Sequence, residues 1–184
     1  MNEMMMENSF WFVLFAPQGK VTKIRTYLEK ENIEYFYPMK YQERCLRNSV
    51  RKRLAFEPLL RNLLFVKSSK DYLDPILQEM RLALGINSNL YYRDLGTKKI
   101  IIIPEKEMQN FIAVSSCKKH ILYLSNDEVN MKKGIKVRVI GGFFEGLEGT
   151  FMRVQGKHRV VVTLPDLLSV ATAFIPTRFI LALE

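Results

Sequence analysis

The chain has 184 residues, 48% apolar and 26% charged, which suits a folded protein with one large domain or two small ones. Its net charge is +9, from 28 basic and 19 acidic residues. With only Cys45 and Cys117 there is no disulfide framework and no four-cysteine zinc site. No apolar run approaches the roughly 18 residues of a membrane span. Residues 1–9 carry acids and lack a basic and then apolar leader, so a cytoplasmic location is expected.

The first predicted strand is Phe10-Trp11-Phe12-Val13-Leu14-Phe15, ended by Pro17 and Gly19. Val21, Ile24 and Leu28 then repeat at helical spacing. Lys23, Thr26 and Lys30 share another face of that helix, with Lys20 at its start. Tyr35-Phe36-Tyr37-Pro38-Met39 reads as a second strand. It leads into a basic segment, residues 40–53, with six Lys/Arg and one acid, turning at Asn48-Ser49. The short apolar run after Pro58 suits a returning strand better than a helix.

Asp74-Pro75 resembles an N-cap with proline at the first helical position, while a start near Ser69 would place Pro75 inside the helix. Leu90-Tyr91-Tyr92 and residues 100–103 are short strand candidates. Pro104 opens a helix with Glu105 and Glu107 in its first turn and Met108, Phe111 and Ile112 facing inward. Strands and helices mix without regular βαβ alternation, so an α+β fold is expected.

Residues 116–130 read as a linker, although residues 121–124 could pair as a strand. Beyond it, strands are expected at 135–140, 147–154, 159–164, 170–175 and 179–183, punctuated by glycines and prolines. Five short strands at this spacing point to a small β-barrel. The domains expected are therefore 10–115 and 131–184.

Catalytic chemistry is poorly supported. His120 and His158 have no Cys or carboxylate at ligand spacing, so neither a metal nor a catalytic residue is expected. Asp71, Asp74, Glu105 and Glu107 sit at predicted helix starts, where carboxylates complement the dipole. Gly141-Gly142 fits no phosphate-binding pattern, so no cofactor is expected. The clustered cations point either to phosphate contact that weakens with salt or to a solvated face. Trp11 reads as core, with a protein-docking role as the alternative.

The stretch Val137-Arg138-Val139-Ile140-Gly141-Gly142-Phe143-Phe144-Glu145-Gly146-Leu147-Glu148-Gly149 has glycines where tight turns are needed, and Phe143 or Phe144 is placed to close one end of a barrel. It resembles a KOW motif. Taken with Trp11-Phe12-Val13, Tyr37-Pro38-Met39 and residues 57–66, Glu57-Pro58-Leu59-Leu60-Arg61-Asn62-Leu63-Leu64-Phe65-Val66, the chain resembles the NusG family, most closely specialised paralogues such as RfaH and the UpxY antiterminators. Those paralogues carry a Glu-Pro-Leu-Phe-Pro-Asn-Tyr-Leu-Phe-Val-like run at the last position.

The resemblance implies an N-terminal NGN domain, an antiparallel sheet flanked by helices, linked to a C-terminal SH3-like KOW barrel. It implies a non-enzymatic, monomeric antitermination or elongation factor that binds the RNA polymerase clamp helices and nearby non-template or upstream DNA. Its expected setting is a long, dedicated operon, surface-polysaccharide operons being what the UpxY likeness suggests. It implies polymerase contact at Trp11, Leu60, Arg61 and Leu63, and nucleic-acid contact at Lys20, Lys23, Tyr27, Lys30, Arg47, Arg51, Lys52 and Arg53. The KOW loop would be Gly141, Gly142, Phe143, Phe144, Glu145 and Gly146, with a small-subunit ribosomal protein or Rho as partner. Three positions depart from the family pattern: Arg61 replaces a proline, and Leu60 and Leu63 replace aromatics. The rival class is a stand-alone KOW-type RNA- or ribosome-binding protein. A nucleic-acid enzyme lacks any site geometry to build on.

Overall fold

The computed structural model describes residues 9–45, 52–117, 121–124, 129, 134–164, 167–172 and 174–183. The Asn48-Ser49 turn, Arg47, Arg51 and His120 lie outside the described residues, as does the Lys52 side chain. The chain divides into two compact units, Met1–Pro38 with Pro58–Glu105, and Met39–Glu57 with Lys106–Glu184.

In the first unit the apolar run folds as β1 (Phe10–Phe15), the helical repeat as α1 (Val21–Lys30), and Glu34–Phe36 as β2. The strand expected over 35–39 is broken at Tyr37-Pro38. Proline has no N–H to give a ladder and restricts the residue before it. The apolar run past Pro58 becomes β5 (Leu63–Ser68), and Ile102–Ile103 forms β6. These strands make one antiparallel sheet ordered β2-β5-β1-β6. With β1 inside it, Trp11, Phe12, Val13 and Leu14 are all buried.

Phe12, Leu14, Leu64 and Val66 form one core with Ile24 and Leu28 of α1 and with Leu73, Leu77 and Met80 of α2 (Lys70–Leu84). Burying each such side chain contributes about 1.5–3 kcal/mol. The later of the two starts considered for α2 is overturned. The Ser69 side chain caps the helix by accepting from the Tyr72 N–H, and Pro75 lies inside it. Gly85 ends it in the left-handed region at φ 60°. Tyr91 bridges to Leu14, while Arg93 and Ile100 pair across a turn whose Asp94 side chain accepts from Thr97 N–H.

The second unit contains a two-stranded hairpin, β3 (Met39–Cys45) and β4 (Lys52–Pro58), and the helix α3 (Glu105–Ser115) from Lys106 onward. Met108 and Phe111 of α3 are buried as expected, whereas Ile112 is half-buried. The unit also holds a six-stranded antiparallel sheet ordered β12-β8-β9-β10-β11-β7. Its strands are β7 (Leu122–Leu124), β8 (Ile135–Val139), β9 (Glu148–Val154), β10 (Lys157–Leu164), β11 (Leu168–Ala171) and β12 (Ile180–Ala182). The extra strand, β7, falls in the expected linker and pairs with β11, which realises the strand alternative there. Val137, Val139, Val154, Val160 and Val170 are buried, the packing that β-branched side chains favour.

Candidate polymerase and nucleic-acid surfaces

Between β4 and β5 the chain turns through Leu59, Leu60, Arg61 and Asn62. Backbone geometry fixes this loop at both ends: Leu59 N–H donates to the Pro38 carbonyl at 2.8 Å, and Ala16 N–H donates to the Asn62 carbonyl at 2.7 Å. A side chain fixes its middle, where the Tyr37 hydroxyl donates to the Arg61 carbonyl at 3.1 Å. The result is a short loop with the Arg61 side chain exposed and Leu60 half-buried. Leu63, also half-buried, opens β5 opposite Phe15.

Tyr37 is itself held from α1. The Arg25 guanidinium lies 5.5 Å from the Tyr37 ring centroid and 5.6 Å from that of Tyr35, and its Nε donates to the Tyr35 hydroxyl at 3.2 Å. The Tyr35 hydroxyl in turn donates to Glu29. Burial pushes the Tyr37 phenol above its ordinary pKa, with the Arg25 charge opposing it. Arg25, Tyr35 and Tyr37 were not among the expected site residues. Tyr35 and Tyr37, two apart, gave a weak signal of a shared strand face, but nothing local marked Arg25 as their partner.

Trp11, expected at the polymerase contact, is 2% exposed. It lies on β1, between β5 and β6 in the sheet, where Trp11 to Leu14 are buried although Phe10 is 48% exposed. Within the unit its ring takes the Lys67 ammonium 5.9 Å from the centroid, so it has little surface to offer a partner.

The cations of α1 separate into two kinds. Lys20 donates its ammonium to the Leu84 carbonyl at 2.8 Å, where α2 ends and positive charge is favoured. Lys23 and Lys30 are exposed, and the Lys30 ammonium lies 5.8 Å from the Tyr27 ring centroid and 3.8 Å from Glu31. Tyr27 is half-buried, with its hydroxyl turned inward and short of a well-formed hydrogen bond. Interaction with the Glu79 carboxylate, ahead of burial, holds that phenol up at about 12.

In the second unit Arg53 is exposed on the hairpin. The glycine-rich loop 141–146 is tightly closed by Gly146 N–H on Val139 carbonyl and Val139 N–H on Leu147 carbonyl, both at 2.8 Å. Gly142 and Gly146 take φ of 83° and 85°, which explains glycine there. Glu145 is exposed, and Gly141 packs close to the Phe179 ring. Phe143 is 84% exposed, so of the two candidates for closing a barrel end only half-buried Phe144 retains a packing role. Beside this loop, Glu148 ties α3 to the sheet. Its carboxylate pairs with Lys106 at 2.7 Å and Arg138 at 2.6 Å, and its N–H donates to Asn110 Oδ1 at 3.3 Å. Hydrogen bonds from Lys106 and then Arg138 hold its carboxyl below the usual range.

Among the described residues no three His, Cys, Asp or Glu side chains are grouped to hold a metal, and His158 instead stacks on Phe151. No described helix is long and apolar enough to cross a membrane. A family model described as "Transcription termination factor nusG" matches residues 9–112. No curated protein matches the chain.

Proposed function

Since this chain belongs to the NusG family, whose members are transcription elongation and antitermination factors that bind RNA polymerase, we propose that it is a non-enzymatic processive antiterminator of the RfaH/UpxY type. The reading takes residues 10–115 as an NGN domain, 116–130 as the linker and 131–184 as a KOW barrel. The observation that carries it is the three-point anchoring of loop 59–62 inside the matched segment. An ordered loop loses little conformational entropy on docking, and it offers Leu60 and Leu63 as apolar contacts beside the Arg61 cation.

In this reading Leu60, Arg61 and Leu63 meet the polymerase clamp helices. Trp11 supports the strand behind them. Lys23, Tyr27 and Lys30, with Arg47, Arg51, Lys52 and Arg53 of the hairpin, face non-template or upstream DNA, while Lys20 mainly secures α2. Binding that favours the closed clamp shifts the polymerase population away from paused states. The KOW loop 141–146 presents Phe143 to a second protein, a small-subunit ribosomal protein or Rho. The protein acts as a cytoplasmic monomer on a long dedicated operon such as one for surface polysaccharide.

The test is retention of purified core RNA polymerase by the immobilised chain at low salt. Retention that falls at least about tenfold in Leu60→Asp supports the reading; absence of retention by the wild-type chain would sink it. The rival, a stand-alone RNA- or ribosome-binding protein, draws on exposed Phe143 in the C-terminal unit. Deleting 131–184 separates the two: loss of nucleic-acid binding with that segment alone favours the rival.

A further inference from the structure

The segment joining α3 to the six-stranded sheet is bonded at both of its ends. At the near end Ser116 N–H donates to the Ile112 carbonyl at 2.9 Å, and Cys117 N–H to the Val114 carbonyl at 3.1 Å. Both residues therefore still belong to the last turn of α3. At the far end Leu122, Tyr123 and Leu124 of β7 pair with Ala171, Val170 and Ser169 of β11. Leu124 and Val129 are buried in one apolar cluster with Met152, Val154, Val161 and Ala171, and Leu122 packs against it. On the other side of β7 the Tyr123 phenol is pushed above its ordinary pKa by burial first and by Cys117 second. If free, the 15 residues from 116 to 130 would reach roughly 50 Å when extended. The stretch from Cys117 to Leu122 reaches at most about 18 Å.

A second fastener joins the same two elements. The Glu148 carboxylate of β9 holds Lys106 of α3, and the Glu148 N–H donates to Asn110. The two fasteners are unequal. The Lys106 side chain is 63% exposed, a setting in which an ion pair contributes little and fades with salt. Two buried aliphatic side chains contribute more, and salt does not screen them. We propose that β7 and Val129 form a strap that holds the sheet against α3, so that helix and sheet move as one body. Loop 141–146 is then presented at a fixed place relative to α3. A recruited partner meets a site positioned by packing and not by the length of a flexible chain. The strap also covers the β11 edge, which would otherwise offer unpaired backbone to another strand. The inference rests on the proposed function only for the role of loop 141–146, and it replaces a free linker with a held one.

The experiment uses the full chain with Cys45→Ser and Cys117→Ser, spin-labelled at the exposed positions Ala113→Cys of α3 and Lys157→Cys of β10. Pulsed electron paramagnetic resonance then reads the distance between helix and sheet. One narrow distribution is expected, unchanged by about 0.5 M salt. Adding Leu124→Asp and Val129→Asp is expected to broaden it at least about threefold, while Glu148→Gln alone leaves it narrow. A broad distribution in the parent, a narrow one in the strap variant, or broadening by Glu148→Gln alone overturns the proposal. A measurement on the wild-type chain keeps the test decisive where the strap variant unfolds. Chymotrypsin is expected to cut after Tyr123 at least about a hundredfold more slowly in the native chain than in a free peptide of residues 116–130. Equal rates overturn the proposal too. Neither measurement contains polymerase, so failure here is distinct from failure of the proposed function.

Discussion

The Tyr37 hydroxyl donates to the Arg61 carbonyl at 3.1 Å, across 24 residues of sequence. Through Arg25, which lies against the Tyr37 ring, one end of this contact belongs to the cationic helix α1 and the other to the proposed polymerase loop. Helix and loop are therefore parts of one supported surface. Tyr37→Phe keeps the ring and its Arg25 contact but frees the loop at its middle. The bond is solvent-accessible, so global stability is expected to fall by less than about 1 kcal/mol. Polymerase retention is expected to fall severalfold, and oligonucleotide binding to stay unchanged. A urea titration beside a polymerase pull-down reads both, and unchanged retention would show that the loop needs no such support.

The hairpin cations make a separate, salt-dependent prediction. Replacing Arg51, Lys52 and Arg53 together with alanine should weaken binding to duplex and single strand alike. The slope of log K against log salt should become shallower by about one unit for each phosphate that the side chains no longer neutralise. Affinity measured over a salt series gives the slope directly, and a slope equal to that of the wild-type chain would remove the hairpin from the interface.

Asp74 gives a pH dependence. Burial raises its carboxyl, but hydrogen bonds from Lys70 and from the Tyr91 hydroxyl, with the Lys70 charge, outweigh burial and leave it below its ordinary value. A carboxyl depressed by folding contributes stability that is present above its unfolded value, about 3.9, and is lost as pH falls through the folded value. Asp74→Asn should therefore show a shallower loss of urea midpoint between neutral pH and about pH 3 than the wild-type chain. Because both members of the Lys70–Asp74 pair are well exposed, the difference is expected to be small. Parallel pH profiles would count against it.

Gly149 makes a packing prediction. A Cβ there would stand 2.6 Å from the Val161 carbonyl oxygen on the neighbouring strand, a backbone atom that cannot swing aside. Gly149→Ala should cost about 1–3 kcal/mol as strain between β9 and β10. Gly96→Ala, whose nearest neighbour would be Asp94 Oδ1 at 3.6 Å, should be close to neutral. Urea midpoints of the two variants decide the matter; equal midpoints would mean that the strands part without cost.

Local pattern alone determined much of this protein. The run at 10–15 marked a buried strand, Val21, Ile24 and Leu28 marked the buried side of α1, and the glycines from 141 to 149 marked a tight loop. The ordered motifs also pointed to the NusG family, which the match over residues 9–112 bears out. These features are legible because periodicity and turn chemistry act over a few residues. What only the tertiary structure decided were the partners of long side chains. Lys20, expected to face nucleic acid, is held at Leu84, 64 residues away. Asp74, placed at a helix start, answers to Tyr91 from inside the helix, and Trp11, on β1, is buried. Charge and aromaticity can be read from a sequence, but whether a group faces solvent or is already engaged depends on which distant segment folds beside it.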